Sequence, residues 1–153
     1  MMSPTLQKPF PFTLNNQDDK SIALEDFKGK WLVLYFYPKD DTPGCTTEAC
    51  GFSEHTPQNV AVVGISPDLP ETHQKFIKKY SLKLTLLSDP TKEVMKKYGA
   101  WGLKKNYGRE YEGVIRSTFI ITPDGEIAHS WHNIKAKGHA EKVIEKLKTL
   151  QPL

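Results

Sequence analysis

Trp31-Leu32-Val33-Leu34-Tyr35-Phe36-Tyr37 runs directly into Pro38-Lys39-Asp40-Asp41-Thr42-Pro43-Gly44-Cys45-Thr46-Thr47-Glu48-Ala49-Cys50, a polar turn that carries both cysteines of the chain. The first half is unbroken, apolar, β-branched and aromatic, and reads as a strand buried on both faces. Pro38 ends it. Pro43 and Gly44 redirect the backbone, and Thr46 to Ala49 can continue as a helix, which puts Cys45 at or near a helix N-terminus. Unpaired backbone N–H groups and the positive end of the helix dipole favour thiolate over thiol there. Cys45 is therefore the candidate nucleophile. A buried inert cysteine usually lies inside an apolar run rather than after Thr-Pro-Gly. Zinc needs about four ligands, and Cys45, Cys50 and His55 lack a recognised zinc spacing.

The position of Cys50 sets the kind of thiol chemistry. Five residues along a regular helix combine a rise of about 7.5 Å with about 140° of rotation, a Cα separation of about 8.6 Å. A disulfide requires less than about 7 Å. The two thiols cannot bond while the helix is intact, so any disulfide between them needs local unfolding. That suits a first cysteine that reacts alone with an oxidant and is captured afterwards, and it argues against a thioredoxin-like dithiol exchanger.

Working outward, the chain alternates strand and helix signals. Phe10 to Leu14 and Ser21 to Leu24 flank the polar turn Asn15 to Lys20 and predict an N-terminal hairpin. Val60 to Ser66 reads as a second buried strand, Glu71 to Tyr80 as a helix burying Phe76, Ile77 and Tyr80, and Leu84 to Leu87 as a short strand. Asp89 is expected to cap a helix with Pro90 at its first position, Val94, Met95 and Tyr98 on its apolar face and Gly99 as its stop. Ser117 to Thr122 and Glu126 to Trp131 surround the turn Pro123-Asp124-Gly125. Ala140, Val143, Ile144, Leu147 and Leu150 form a closing helical stripe. The alternation implies an α/β sandwich. With 153 residues, 38% hydrophobic and 25% charged, the chain is expected to form one domain over 1–153.

Composition narrows the function. The N-terminal Met1 to Pro9 has no apolar signal core and no run approaches the roughly 20 apolar residues of a membrane span, so a cytoplasmic protein is expected, without membrane association. In that reducing compartment two cysteines are expected to be reactive rather than structural. Net charge is +3 with 21 basic residues, but only Arg109 and Arg116 are arginines and the lysines are interleaved with glutamate. That pattern is a solvated surface, not a nucleic-acid footprint.

The active stretch resembles the peroxiredoxins, specifically the Q-type branch also called bacterioferritin comigratory protein. Its pattern Pro-x-x-x-Thr-x-x-Cys is met by Pro38, Thr42 and Cys45, and the branch's resolving cysteine by Cys50. Gly64 to Asp68, Leu86 to Pro90, Tyr111 to Phe119 and Lys135 to Ala140 look like family landmarks in family order. Between Cys50 and Val60 the chain looks about one helical turn shorter than relatives, with Pro57 interrupting. The resemblance implies a thioredoxin-like fold, a peroxiredoxin variant, with a central mixed β-sheet flanked by helices and an N-terminal hairpin.

It also implies roles. Cys45 would attack a hydroperoxide and Cys50 resolve the sulfenic acid as an intramolecular disulfide, recycled by thioredoxin or a similar dithiol, with no metal, flavin or haem. Thr42 would align the peroxide, and Pro38 would shield the thiolate. Arg116, in an apolar strand-like setting where a permanent charge needs a partner, would hold the thiolate and polarise the leaving oxygen. Gly44 and Glu48 would support them, Glu48 by orienting Arg116. Each has a plainer alternative: a turn or cap threonine, a strand terminator, an edge-strand arginine, a solvated carboxylate. Trp101, Tyr107 and Tyr111 could line the approach or simply pack. His55, His73, His129, His132 and His139 show no triad-like arrangement with Cys45 and read as structural or surface residues. A monomeric thiol peroxidase is expected. A peroxide-sensing adaptor using the same cysteine pair, or a binding module on the same scaffold, are the competing functions.

Overall fold

The computed structural model describes residues 8–106 and 108–150. Tyr107, and the expectation attached to it, lie outside the described residues, as does Met1 to Gln7. The strands are β1 (Thr13–Asn16), β2 (Ser21–Ala23), β3 (Trp31–Phe36), β4 (Val60–Ser66), β5 (Thr85–Ser88), β6 (Trp101–Asn106), β7 (Arg109–Val114), β8 (Ser117–Ile121) and β9 (Ile127–Trp131). The helices are α1 (Pro43–His55), α2 (Pro70–Tyr80), α3 (Glu93–Lys97) and α4 (His139–Leu150), with a 3-10 turn at Leu24–Phe27. Seven strands form one sheet in the order β2-β1-β5-β4-β3-β8-β9, and β6 pairs only with β7.

β3 is parallel to β4 and antiparallel to β8, so it sits at the centre and must be apolar on both sides. Its alternate residues serve two cores. Val33, Tyr35 and Tyr37 pack with Ala49 and Phe52 of α1, Phe76 of α2 and Val143 and Leu147 of α4. Leu32, Leu34 and Phe36 pack with Phe12, Met95, Tyr98 and Phe119 on the opposite face. The crossovers β3-α1-β4 and β4-α2-β5 both advance the same way across the sheet. Right-handed connections then put α1 and α2 on one face. Gly64 is forced by that packing: a Cβ there would lie 2.7 Å from the Tyr35 ring.

The central mixed sheet, flanking helices and N-terminal hairpin are those expected, but three local readings change. β1 begins at Thr13 and not Phe10, because Phe10 and Phe12 turn away to pack edge-on against Tyr98, whose hydroxyl donates to the Phe10 carbonyl at 2.6 Å. Asn15 and Asn16 belong to the strand, and the Asn16 carboxamide accepts from the Asp18 and Lys20 amides to close the turn. Pro90 is not the first residue of α3. The Asp89 carboxylate reaches on to the Met95 N–H at 2.9 Å, Lys92 takes a left-handed φ of 64°, and the helix starts at Glu93. The ribbon β6-β7 was not expected, and its exposed Lys105, Glu110 and Glu112 carry no apolar alternation to signal it.

Candidate active site

The site forms where β3 ends. Tyr37 still donates its N–H to the Ile65 carbonyl at 3.1 Å, but Pro38 has no N–H and the ladder stops. Asp41 takes a left-handed φ of 59°, and Thr42, extended at φ −89° and ψ 155°, becomes the N-cap of α1 with Pro43 at the first helical position. Cys45 is thus the third residue of the helix and is almost fully buried, 1% exposed. Thr46 N–H already bonds the Thr42 carbonyl. The Thr42 side chain gives no cap; its hydroxyl donates instead to the Lys39 carbonyl at 2.9 Å. The amides of Gly44 and Cys45 therefore have no acceptor within the helix. Pro38 is exposed at the rim. A Cβ on Gly44 would meet only ordinary contacts with Ala136 and Arg116, so what Gly44 offers the site is its N–H.

Arg116 arrives from the other side. It lies in the short link between β7 and β8 rather than within a strand as expected. The neighbouring backbone is pinned there by Ile115 N–H to Ala100 O at 2.7 Å and Ile134 N–H to Arg116 O at 3.1 Å. Its Nη2 donates to Cys45 Sγ at 3.3 Å and its Nη1 to Glu48 Oε1 at 2.5 Å. One planar fork thus spans thiol and carboxylate, a geometry an ammonium cannot copy. Burial works against the Arg116 charge, but Glu48 and Cys45 more than offset it, and its pKa stands above the ordinary arginine value. Glu48 is fully buried and its Oε2 has no partner among the described residues. Burial pushes its carboxyl up to about 7 against the pull of Arg116. Tyr35, one strand position inward, has its hydroxyl raised well above the usual tyrosine range by burial and then by the charges of Glu48 and Cys45.

Cys50 is the eighth residue of the unbroken α1, half-buried, and both thiols are free. Regular helical geometry keeps the two about 8.6 Å apart at Cα. Burial and the neighbouring Glu54 raise the Cys50 pKa, holding it as a thiol.

The remaining candidates disperse. Tyr111 is 44% exposed on the β6-β7 ribbon, and Trp101 is partly buried with its Nε1 unpaired. His73 and His139 are buried and bond to Asp40 and Thr118. Asp40, Asp68 and His73 bring one potential ligand atom each within 4.8 Å of one another, but those atoms already hydrogen-bond to one another or to nearby donors. A cavity of about 720 Å³ lined by Phe12, Leu24, Phe27, Val94 and Ile121 contains none of the site residues. Sequence reasoning missed Tyr35 and the Asp40–His73 pair. Their signals, an aromatic inside an apolar strand and two polar residues 33 positions apart, are too common to single out.

The arrangement is one buried thiol in the first turn of a helix, with a guanidinium donating to its sulfur. Residues 6–130 match the AhpC/TSA family. A putative peroxiredoxin bcp of Helicobacter pylori is 51% identical over 140 residues, covering 89% of this chain and 92% of that one. Peroxiredoxin Bcp of Bacillus subtilis is 40% identical over 148 residues, 94% of each. Among solved structures, a cysteine-to-serine variant of Xanthomonas campestris peroxiredoxin Q superposes with a TM-score of 0.87 at 33% identity, covering 96% of this chain and 98% of that one. The bacterioferritin comigratory protein of the same organism, studied for its alkyl peroxide reduction activity, gives 0.86 at 32%, covering 97% and 99%. The chain belongs to the AhpC/TSA family as a thioredoxin-like peroxiredoxin of the Q/Bcp branch, a thiol peroxidase.

Proposed function

We propose that this peroxidase reduces hydrogen peroxide and organic hydroperoxides through Cys45, with Cys50 as the resolving thiol. The carrying observation is the Arg116 fork at 3.3 Å from Cys45 Sγ. The Cys45 thiolate attacks the terminal peroxide oxygen, the O–O bond breaks, and water or alcohol leaves with a proton, giving Cys45 sulfenic acid. Arg116 and the Gly44 and Cys45 amides face the charge that develops on the departing oxygen. Thr42 bounds the pocket beside them, and Pro38 covers its rim. Cys50 then condenses with the sulfenic acid, releasing water and forming the intramolecular disulfide, which a thioredoxin-type dithiol reduces. Organic substrates are supported by the alkyl peroxide reduction studied in the Xanthomonas campestris relative. Every group used comes from one chain, which suits a monomer, and a reducing compartment such as the cytoplasm supplies the dithiol.

Peroxide consumption by the purified protein with a thioredoxin system tests this. Cys45→Ser abolishes turnover while the fold persists, because serine offers no stabilised anion at neutral pH. Cys50→Ser still forms a trappable sulfenic acid but no intramolecular disulfide. Unchanged thioredoxin-dependent turnover in Cys50→Ser removes Cys50 from the cycle. Single-turnover oxidation without sustained consumption points instead to the sensing adaptor.

A further inference from the structure

The four residues from Pro38 to Asp41 leave the sheet before α1 begins, so the ladder no longer fixes them. Asp40 does. Its N–H donates to Asp68 Oδ2 at 2.7 Å, its Oδ1 accepts from the Tyr37 hydroxyl at 2.5 Å, and its Oδ2 lies 2.6 Å from His73 Nδ1. Asp68 is itself held by the Ser66 hydroxyl at 2.8 Å. His73 Nε2 faces the Leu87 carbonyl at 3.0 Å. A carbonyl only accepts, so Nε2 carries a hydrogen, and a second hydrogen must lie between Nδ1 and the Asp40 carboxylate. Whichever atom holds it, imidazole and carboxyl together are neutral. Losing it would set a carboxylate against a nitrogen lone pair where both side chains are fully shielded from water. On the outer side, Asp41 accepts from Lys79 Nζ at 2.8 Å and from the Tyr80 hydroxyl at 2.6 Å, both exposed contacts.

α2 therefore grips the turn at two consecutive residues, one buried and one at the surface. The turn leads straight into Thr42 and the first turn of α1. We propose that the buried Tyr37–Asp40–His73 network is a positioning device for the peroxidase reaction: His73 and Tyr37 lock Asp40, and through it the angle at which Thr42 and the Gly44 and Cys45 amides meet a peroxide bound at Cys45. Among the described residues none of the three hydrogen-bonds to Cys45, so they govern peroxide alignment rather than thiol reactivity as such. The outer grip on Asp41 is an exposed ion pair and adds little. The inference rests on the reading of Cys45 as the peroxide-reacting thiol.

The test compares two reactions of the same sulfur in the full-length reduced protein. Oxidation by hydrogen peroxide needs alignment, whereas alkylation by iodoacetamide needs only an accessible thiolate. Asp40→Ala and His73→Ala are expected to slow oxidation roughly 10- to 100-fold, the scale of small misplacements at a reacting centre. Alkylation at the same pH should stay within about twofold. Asp40→Asn is the rescuing variant: its carbonyl accepts from Tyr37 and its amide donates to His73 Nδ1, so oxidation returns to within about threefold of the parent. If the alanine variants do not fold, Tyr37→Phe removes one hydroxyl and leaves the ring in place, and oxidation should still slow severalfold with alkylation unchanged. Equal loss of both rates, or oxidation at the parental rate in folded His73→Ala or in Tyr37→Phe, overturns the positioning role. A parent protein that alkylates but does not react with peroxide would overturn the underlying reading of Cys45 instead.

Discussion

Arg116 serves two acceptors with one guanidinium, the Cys45 sulfur and the buried Glu48 carboxylate, and that double duty decides what its replacement does. Arg116→Met removes a donor aimed at the reacting sulfur and is expected to slow sulfenic acid formation about 10²–10³-fold. It also strands Glu48, at a cost of about 3–5 kcal/mol, so the measurement is paired with Arg116→Met/Glu48→Gln. Arg116→Lys restores charge but not the fork and stays impaired. Equal rates of sulfenic acid formation in the parent and all these variants would refute the electrostatic role. The residues of this constellation were readable in the chain because each broke a local rule. Cys45 followed Thr-Pro-Gly, and Arg116 was one of two arginines, set in an apolar run. Asp40 and His73 broke none; their pairing exists only after α2 folds back over the turn.

α1 was legible as an element, start and stop, because Pro43 and Pro57 bracket it. How firmly it is held was not, since that depends on partners elsewhere in the chain. Gly51 and the threonines are poor helix formers, so tertiary packing maintains it. Gly51 abuts α4 so closely that a Cβ would lie 2.8 Å from Ala140 Cβ. Gly51→Ala should thus destabilise the protein by about 1–3 kcal/mol despite its better helix propensity, read from the denaturant midpoint. Phe52, fully buried and 4.8 Å from the Tyr35 ring, anchors the same half of the helix. If Cys50 resolves Cys45 as proposed, the unwinding that step requires is therefore confined to the first half. Amide exchange should show residues 46 to 50 protected in the reduced protein and open in the oxidised one, while the Phe52 side chain stays packed. Equal, high protection across 46 to 56 in both forms would mean that resolution is intermolecular. The ribbon β6-β7 escaped sequence reading for the opposite reason: burial is concentrated where Trp101 and Val114 meet the core, and no alternating buried stripe runs along it to announce it.

At the scale of the molecule, two buried groups from opposite ends of the chain set how stability responds to pH. Glu48 is pushed up to about 7 by burial, whereas an unfolded glutamate titrates near 4.5. The folded state holds the extra proton between these values, so this group makes stability fall as pH rises from about 4.5 to 7. His139, 3% exposed and bonded to Thr118 at 2.8 Å, is lowered to about 4 by burial, then by Arg116 and Lys142. Here the unfolded state binds the extra proton between about 4 and 6.5, so stability rises with pH across that window. Each contribution is on the order of 3 kcal/mol, and they oppose one another where the windows overlap. The parent protein should show a nearly flat stability profile between about pH 4.5 and 6.5 from these two groups. Glu48→Gln should unmask a rise with pH and His139→Gln a fall, each read as the shift of a urea midpoint against pH. A parent profile that both variants merely displace, without change of slope, would mean that neither group is shifted as its burial requires. Opposite slopes would show that burial shifts the two groups in opposite directions, Glu48 up and His139 down.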